Sequence, residues 1–281
     1  MLSLRVAASA LLALSLASCA STKTEKPSAK TAFIASPESP AGKPLSAGER
    51  VPMEPAAWFK PNRPKDGLAG RTLDVTSIQD IKLGPKEVAL TFDDGPVPGR
   101  TERILDTLAR YDVKATFMMV GEMAKAHPAI ARKVADAGHS IGSHTWSHAN
   151  LHKLSFDQAM ADITKGELAV KAGTGVDPAF FRFPYLSDSK SLRTRMAQRN
   201  VVVLDVAIDS KDYFKSSPSE IVERTMETLH RRGRGIILMH DLHLRTAVML
   251  PMLLERLKDE GYKVVTLRHE RKKTMLLASA D

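Results

Sequence analysis

Val88-Ala89-Leu90-Thr91-Phe92-Asp93-Asp94-Gly95-Pro96 decides how this chain folds. Residues 88–92 form a short run with no charge, as in a strand covered on both faces. Two adjacent carboxylates close the run, and Gly-Pro turns the chain away from it. Beyond it the pattern repeats. Residues 100–111 have helical spacing through Ile104, Leu105 and Leu108; 115–120 is a second strand, 128–137 a helix and 139–143 an extended stretch. Ser155, with Phe156, Asp157 and Gln158 after it, is a good N-cap for a helix running to about Gly173. Further strands read at 179–183, 201–207, 236–239 and 264–267, separated by helices near 192–199, 219–232 and 248–260. Repeated strand–helix units of this kind predict an α/β fold with a parallel sheet.

If those strands close into a barrel, chemistry belongs just past their carboxyl ends. Asp93 and Asp94 follow the first strand, and His144-Thr145-Trp146-Ser147-His148 follows the third. Arg182 to Tyr185, Asp209 to Tyr213 and His240 each follow a later one. The four-residue spacing predicts both imidazoles on one face of a helical turn, within reach of one ion. With one carboxylate they make a two-histidine, one-carboxylate set, and the second carboxylate is left as a base. Singly, each island has a structural explanation: a turn after a strand, or two unrelated histidines. Their joint placement at strand ends points to metal-assisted hydrolysis.

The chain has 281 residues, 43% hydrophobic and 26% charged, which is enough for one main domain. Its start carries Arg5 and then an apolar run over 6–16, too short to span a bilayer permanently. Leu16-Ala17-Ser18-Cys19 resembles the bacterial lipobox, with Cys19 as the lipidated residue. The single cysteine excludes an internal disulfide framework. The expected organisation is a signal peptide over 1–18, a lipid-anchored flexible tether over 19–70, and a catalytic domain with a basic tail over 71–281. About 50 tether residues give an r.m.s. reach of roughly 40 Å. The net charge of +9 suits anionic surroundings. It does not suggest nucleic acid, because the basic residues are scattered except at 268–273, which reads as a solvated tail.

The five islands together resemble the polysaccharide deacetylases of the NodB-homology type, carbohydrate esterase family 4. Thr91 to Pro96, His144 to His148, Arg182 to Tyr185, Asp209 to Tyr213, and Leu238-Met239-His240 match its five motifs in order, and the likeness spans about 87–267. The resemblance implies a distorted (β/α) barrel of seven strands. It implies Asp93 as general base, and Asp94, His144 and His148 as ligands of a divalent metal: Zn²⁺, with Co²⁺, Ni²⁺ or Mn²⁺ as substitutes. Arg182 would orient Asp93, and His240 would be the acid that protonates the leaving amine, tuned by Asp212. The backbone N–H of Tyr185 would help hold the oxyanion, while Leu238 and Tyr213 would wall the acetyl pocket. Two positions depart from the family: Tyr213 stands where Trp is common, and Leu186 where Gly is common. Both bear on substrate fit and neither on the proton carriers. The remaining histidines, at 127, 139, 152, 230, 243 and 269, sit in no motif and read as structural or exposed.

The expected activity is removal of N-acetyl groups from an envelope glycan, peptidoglycan first. Chitin-like oligosaccharides and O-acetyl polymers come next. The expected setting is the bacterial envelope, lipid-anchored at Cys19: the outer membrane facing the periplasm where there is one, otherwise the outside of the cell membrane. No heptad pattern calls for an obligate assembly, so a monomer is expected. A glycan-binding lipoprotein without catalysis, or hydrolysis of a non-sugar amide, are the competing readings. The complete set of proton carriers and ligands argues against both.

Overall fold

A computed structural model describes residues 67–270. The expectations for Cys19, the signal peptide and most of the tether lie outside these residues, as does the tail beyond Glu270. In chain order the elements are β1 (Ala69–Val75), β2 (Glu87–Asp93), α1 (Thr101–Arg110), β3 (Thr116–Met119), α2 (Gly121–Ala126), α3 (Pro128–Asp136), β4 (Ser140–Ser143) and α4 (Phe156–Thr174). Then follow β5 (Phe180–Phe181), α5 (Lys190–Gln198), β6 (Val202–Val203), β7 (Ile208–Asp209), α6 (Pro218–Arg232), β8 (Gly235–His240), α7 (Leu244–Asp259) and β9 (Lys263–His269).

β2 pairs in parallel with β3 on one side and β8 on the other. From β3 the ladder continues through β4 and β5 to β6, and from β8 to β7. These seven parallel strands make a nearly closed barrel whose seam lies between β6 and β7. The expected seven-stranded barrel is therefore the observed one. β9 pairs with β1 and with the first residues of β2, so this pair adds to the amino-terminal end of the barrel.

The strand pleat sorts residues by destination. Val88, Leu90 and Phe92 of β2 pack outward with Ile104 and Leu108 of α1, Leu229 of α6 and Leu253 of α7. Ala89 belongs to a second cluster with Met118, Phe180, Val202 and Ile236, closed by Val75, Val265 and Leu267 from β1 and β9. The alternate positions that continue beyond Ala89 are Thr91 and Asp93. The barrel thus has an apolar plug at the amino-terminal ends of its strands and polar groups at the carboxyl ends.

Several elements depart from the sequence reading. β1 carried no strand signal, since most of it is exposed and its partner lies about 190 residues away in β9. Leu68 is buried and β1 begins at Ala69, so residues 68–70 belong to the domain rather than to the tether expected to reach 70. The strand expected over 201–207 is only the short β6, and a second short strand, β7, follows it across the seam. Arg268, expected in the tail, sits in β9 and pairs with Asp74 of β1 at 2.5 and 2.8 Å. α4 matches closely: Ser155 accepts from Gln158 N–H at 3.3 Å, Gln158 accepts from Ser155 N–H at 3.0 Å, and Gly175 ends the helix at φ 74°.

Candidate active site

β2 delivers Asp93 and Asp94 to the open end of the barrel. Asp93 is level with His240 across the β2–β8 ladder, so strand register alone sets these two side by side. Asp94 leaves the strand with φ 79°, a left-handed conformation that Asp tolerates better than most residues. Its N–H donates to Met118 O at 3.2 Å. Gly95 follows because a β-carbon there would overlap the Asp241 carboxylate.

His144 and His148 do not share a helical turn, contrary to expectation. They flank a loop after β4 in which Thr145 (φ 69°) and His148 (φ 55°) are both left-handed. The loop is shaped by what packs on it. Gly121 and Glu122, at the start of α2, donate to Thr145 O and Trp146 O at 2.9 and 3.1 Å. Asp162 of α4 accepts from Trp146 N–H at 3.1 Å and from the Ser147 hydroxyl at 2.9 Å. Gly166 lets α4 approach so closely that a β-carbon would collide with the Thr145 backbone. His148 N–H donates to Thr145 Oγ1 at 3.0 Å, which closes the turn.

The loop brings both rings to Asp94. His148 Nε2 and His144 Nε2 lie 3.3 and 3.6 Å from Asp94 Oδ1. His144 Nδ1–H donates to Arg182 O at 2.7 Å, which leaves Nε2 with its lone pair facing Asp94. Burial, the largest influence, holds the His144 pKa below its ordinary value, and His148 adds to this against the pull of Asp93 and Asp94. Asp94 Oδ1 is buried and has no hydrogen-bond partner among the described residues. A buried, unpartnered carboxylate oxygen facing two ring nitrogens fits a divalent cation: donors bound at about 2.0–2.2 Å to one ion stand within about 4 Å of each other. Among the described residues this trio is the cluster whose donor atoms all lie within 4.8 Å of one another.

Asp93 is held differently. Its Oδ1 accepts from Arg182 Nη1 at 2.7 Å, while Oδ2 faces His144 Nε2 at 3.8 Å. Arg182, 1% exposed, also donates to Thr91 Oγ1 at 2.8 Å and to Leu204 O at 3.2 Å. Thr91 in turn donates to Ile237 O at 2.8 Å. Thr91 was read as part of the first motif but given no role, and Leu204 was not singled out, although Thr91 stands two residues before Asp93 on the same strand face.

On the other side of the cavity Asp212 accepts from both His240 N–H (2.8 Å) and His240 Nδ1–H (2.7 Å), and from the Thr246 hydroxyl at 2.5 Å. Burial opposes charge on His240, but the hydrogen bond and the negative charge of Asp212 outweigh it, with help from Asp93 and Asp94. The His240 pKa is pushed up to about 9. The Asp212 pKa is lowered: burial would raise it, and the bonds to His240 and Thr246 prevail. Thr246, in the first turn of α7, had no sequence signal. Among the motif-free histidines, His139 is buried and accepts from Ala115 N–H at 3.1 Å, a structural role, whereas His243 stands near His240 with ring centroids 6.2 Å apart.

These groups surround one cavity of about 450 Å³, lined by Asp93, Asp94, His144, His148, His240 and Leu238, with Tyr185, Leu186 and Tyr213 among its walls. All the candidate residues within 67–270 converge there except Arg182 and Asp212, which lie behind Asp93 and His240. With His240 as the proton donor, its protonation would set a pH limit. A proton donor with a pKa of about 9 is charged below that value and lost above it, so turnover should fall on the alkaline side near pH 9. In Asp212→Asn the burial of His240 loses its main counterweight, and the alkaline limb should move toward or below the ordinary 6.5. A pH–rate profile of both proteins checks this; an unmoved alkaline limb would exclude His240 as the titrating acid.

Comparison with known proteins finds the polysaccharide deacetylase family profile matched over residues 80–204. A peptidoglycan-N-acetylglucosamine deacetylase of Listeria monocytogenes is 36% identical over 182 residues, which is 65% of this chain and 38% of that protein. The chain thus spans about two fifths of the length of that relative. A chitin deacetylase of Colletotrichum lindemuthianum is 33% identical over 65% of this chain and 78% of its own length. Among solved structures, a peptidoglycan deacetylase from Bdellovibrio bacteriovorus superposes with a TM-score of 0.64 at 33% identity, covering 73% of this chain and 57% of that one.

Proposed function

Since this chain belongs to the polysaccharide deacetylase family, we propose that it hydrolyses N-acetyl groups from N-acetylglucosamine-type units of an envelope glycan, with peptidoglycan as its substrate. One observation carries the reading: a carboxylate with a free oxygen, a three-donor cluster and a histidine hydrogen-bonded to a buried carboxylate surround a single cavity. Asp94, His144 and His148 would hold a divalent cation, Zn²⁺ being the ion that suits two imidazoles and a carboxylate, and the cation would acidify water and polarise the acetyl carbonyl.

The chain's own groups do the rest. Asp93 Oδ2 takes a proton from the attacking water as its oxygen bonds to the carbonyl carbon, while Arg182 keeps the carboxylate aimed. The Tyr185 backbone N–H serves the developing oxyanion. As the carbon–nitrogen bond breaks, His240 gives its proton to the leaving nitrogen, and Asp212 holds the ring for that transfer. Leu238 and Tyr213 wall the acetyl methyl. The products are acetate and a free amine on the sugar. Chitin-like oligosaccharides are the second reading, favoured by the chitin deacetylase relative. Leu16-Ala17-Ser18-Cys19 supports an envelope location with a lipid anchor at Cys19.

The test is acetate release by the purified full-length protein from N-acetylated peptidoglycan and from chitin oligomers. Release should cease on chelation and return when Zn²⁺ is restored. Absence of release from every glycan with the metal bound would replace this reading with a glycan-binding lipoprotein.

A further inference from the structure

Tyr185 (φ 60°) and Leu186 (φ 52°) are consecutive non-glycine residues in left-handed backbone. That conformation is unfavourable for any side chain with a β-carbon, and bulky residues seldom hold it. Burial does not offset it here, because Tyr185 is 66% and Leu186 50% exposed. Two apolar side chains are thus held in strained backbone and left facing solvent, at the edge of the cavity that contains Asp93, Asp94 and His240. Strain and exposed apolar surface at one place are the signature of a residue kept for a ligand.

The opposite edge is built to match. Tyr185 packs on His148, ring centroids 4.7 Å apart, on the side of the donor cluster. Tyr213 packs on His240 at 5.5 Å, on the side of the acid, with Phe214 edge-on beside it at 4.7 Å. The Tyr213 hydroxyl donates to Asp209 at 2.8 Å, which fixes its ring, and Tyr213 and Phe214 are themselves partly exposed. Apolar side chains therefore flank the reacting groups on both sides. A pyranose ring has an apolar C–H face suited to such surfaces. In a polymer the units next to the reacting one carry that face past the cavity edge, whereas a free monosaccharide has no such unit.

We propose that Leu186 is a specificity-determining residue, which grips the sugar unit adjoining the one whose acetyl group is removed and so favours polymer over monomer. The proposal deepens the deacetylase reading and rests on it for the identity of the reacting unit.

The experiment is calorimetric titration of the full-length protein with chitotetraose and with N-acetylglucosamine, in an Asp93→Asn background so that turnover is slow on the timescale of the titration. Leu186→Gly and Leu186→Ala should each weaken tetramer binding about tenfold, the scale of one lost leucine contact, and leave monomer binding unchanged. The melting temperature of the Leu186→Gly protein should not fall by more than about 3 °C, since glycine relieves the left-handed strain. Unchanged tetramer affinity in both variants, equal losses for tetramer and monomer, or a larger fall in melting temperature would overturn the proposal. Leu186-dependent tetramer binding by a parent protein that releases no acetate would remove the deacetylase reading and keep the groove. Acetate release with no Leu186 dependence would do the reverse.

Discussion

Asp93→Asn should lower the rate of acetate release by about 10²–10⁴-fold, the usual worth of a positioned general base, and leave metal binding intact. The two adjacent carboxylates have different surroundings, so they should fail differently. Asp94 faces His144 and His148, whereas Asp93 is bonded through Oδ1 to Arg182 at 2.7 Å and keeps Oδ2 toward the cavity. Asn retains the shape and an oxygen acceptor but cannot take a proton from water at neutral pH. Asp94→Asn should instead weaken metal binding, because it would remove the anionic donor from the cluster. Steady-state acetate assays beside metal analysis of the purified variants separate the two. Metal loss from Asp93→Asn, or turnover close to that of the parent, would refute the division of roles.

Arg182→Met is expected to cost about 3–5 kcal/mol of stability as well as activity. The guanidinium is 1% exposed, and Asp93 beside it 2%. Removing the cation leaves a buried carboxylate without its counter-charge and takes donors away from Thr91 Oγ1 and Leu204 O. For a fold of this size that loss corresponds to a melting temperature lower by about 10 °C. Arg182→Lys should fall between the two. Lysine supplies the charge, but its compact ammonium cannot reach in the several fixed directions that the planar guanidinium uses. Thermal denaturation of the three proteins, with metal occupancy matched, is the measurement; equal melting temperatures would mean that Asp93 finds another partner.

These predictions draw on two kinds of information, and each was visible at a different stage. Thr91 to Pro96, His144 to His148 and His240 could be read directly, because each motif is a few residues at a strand end, where side-chain alternation and turn chemistry are local. The α4 cap at Ser155 and Gln158 was legible for the same reason. β1 was not, since its exposed residues hold a strand only by pairing with β9 near the other end of the chain. The histidine loop was misread as a helical turn because a four-residue spacing suits a helix, whereas the donations from Gly121 and Glu122 and the side chain of Asp162 impose left-handed residues instead.

The sequence by itself determined the strand-and-helix alternation, the carboxyl-end placement of the candidate residues and the inventory of carboxylates, histidines and arginine. Only the tertiary structure decided which oxygen of Asp93 is free, which groups pair with His240, and where Leu186 points its exposed side chain. The reason is physical. Hydrophobic period and turn preference act over a few residues, whereas the bonds from Arg182 to Thr91 and Leu204, and from Thr246 to Asp212, join residues tens of positions apart. They exist only once the parallel strands have curved into a barrel and brought their carboxyl ends around one cavity.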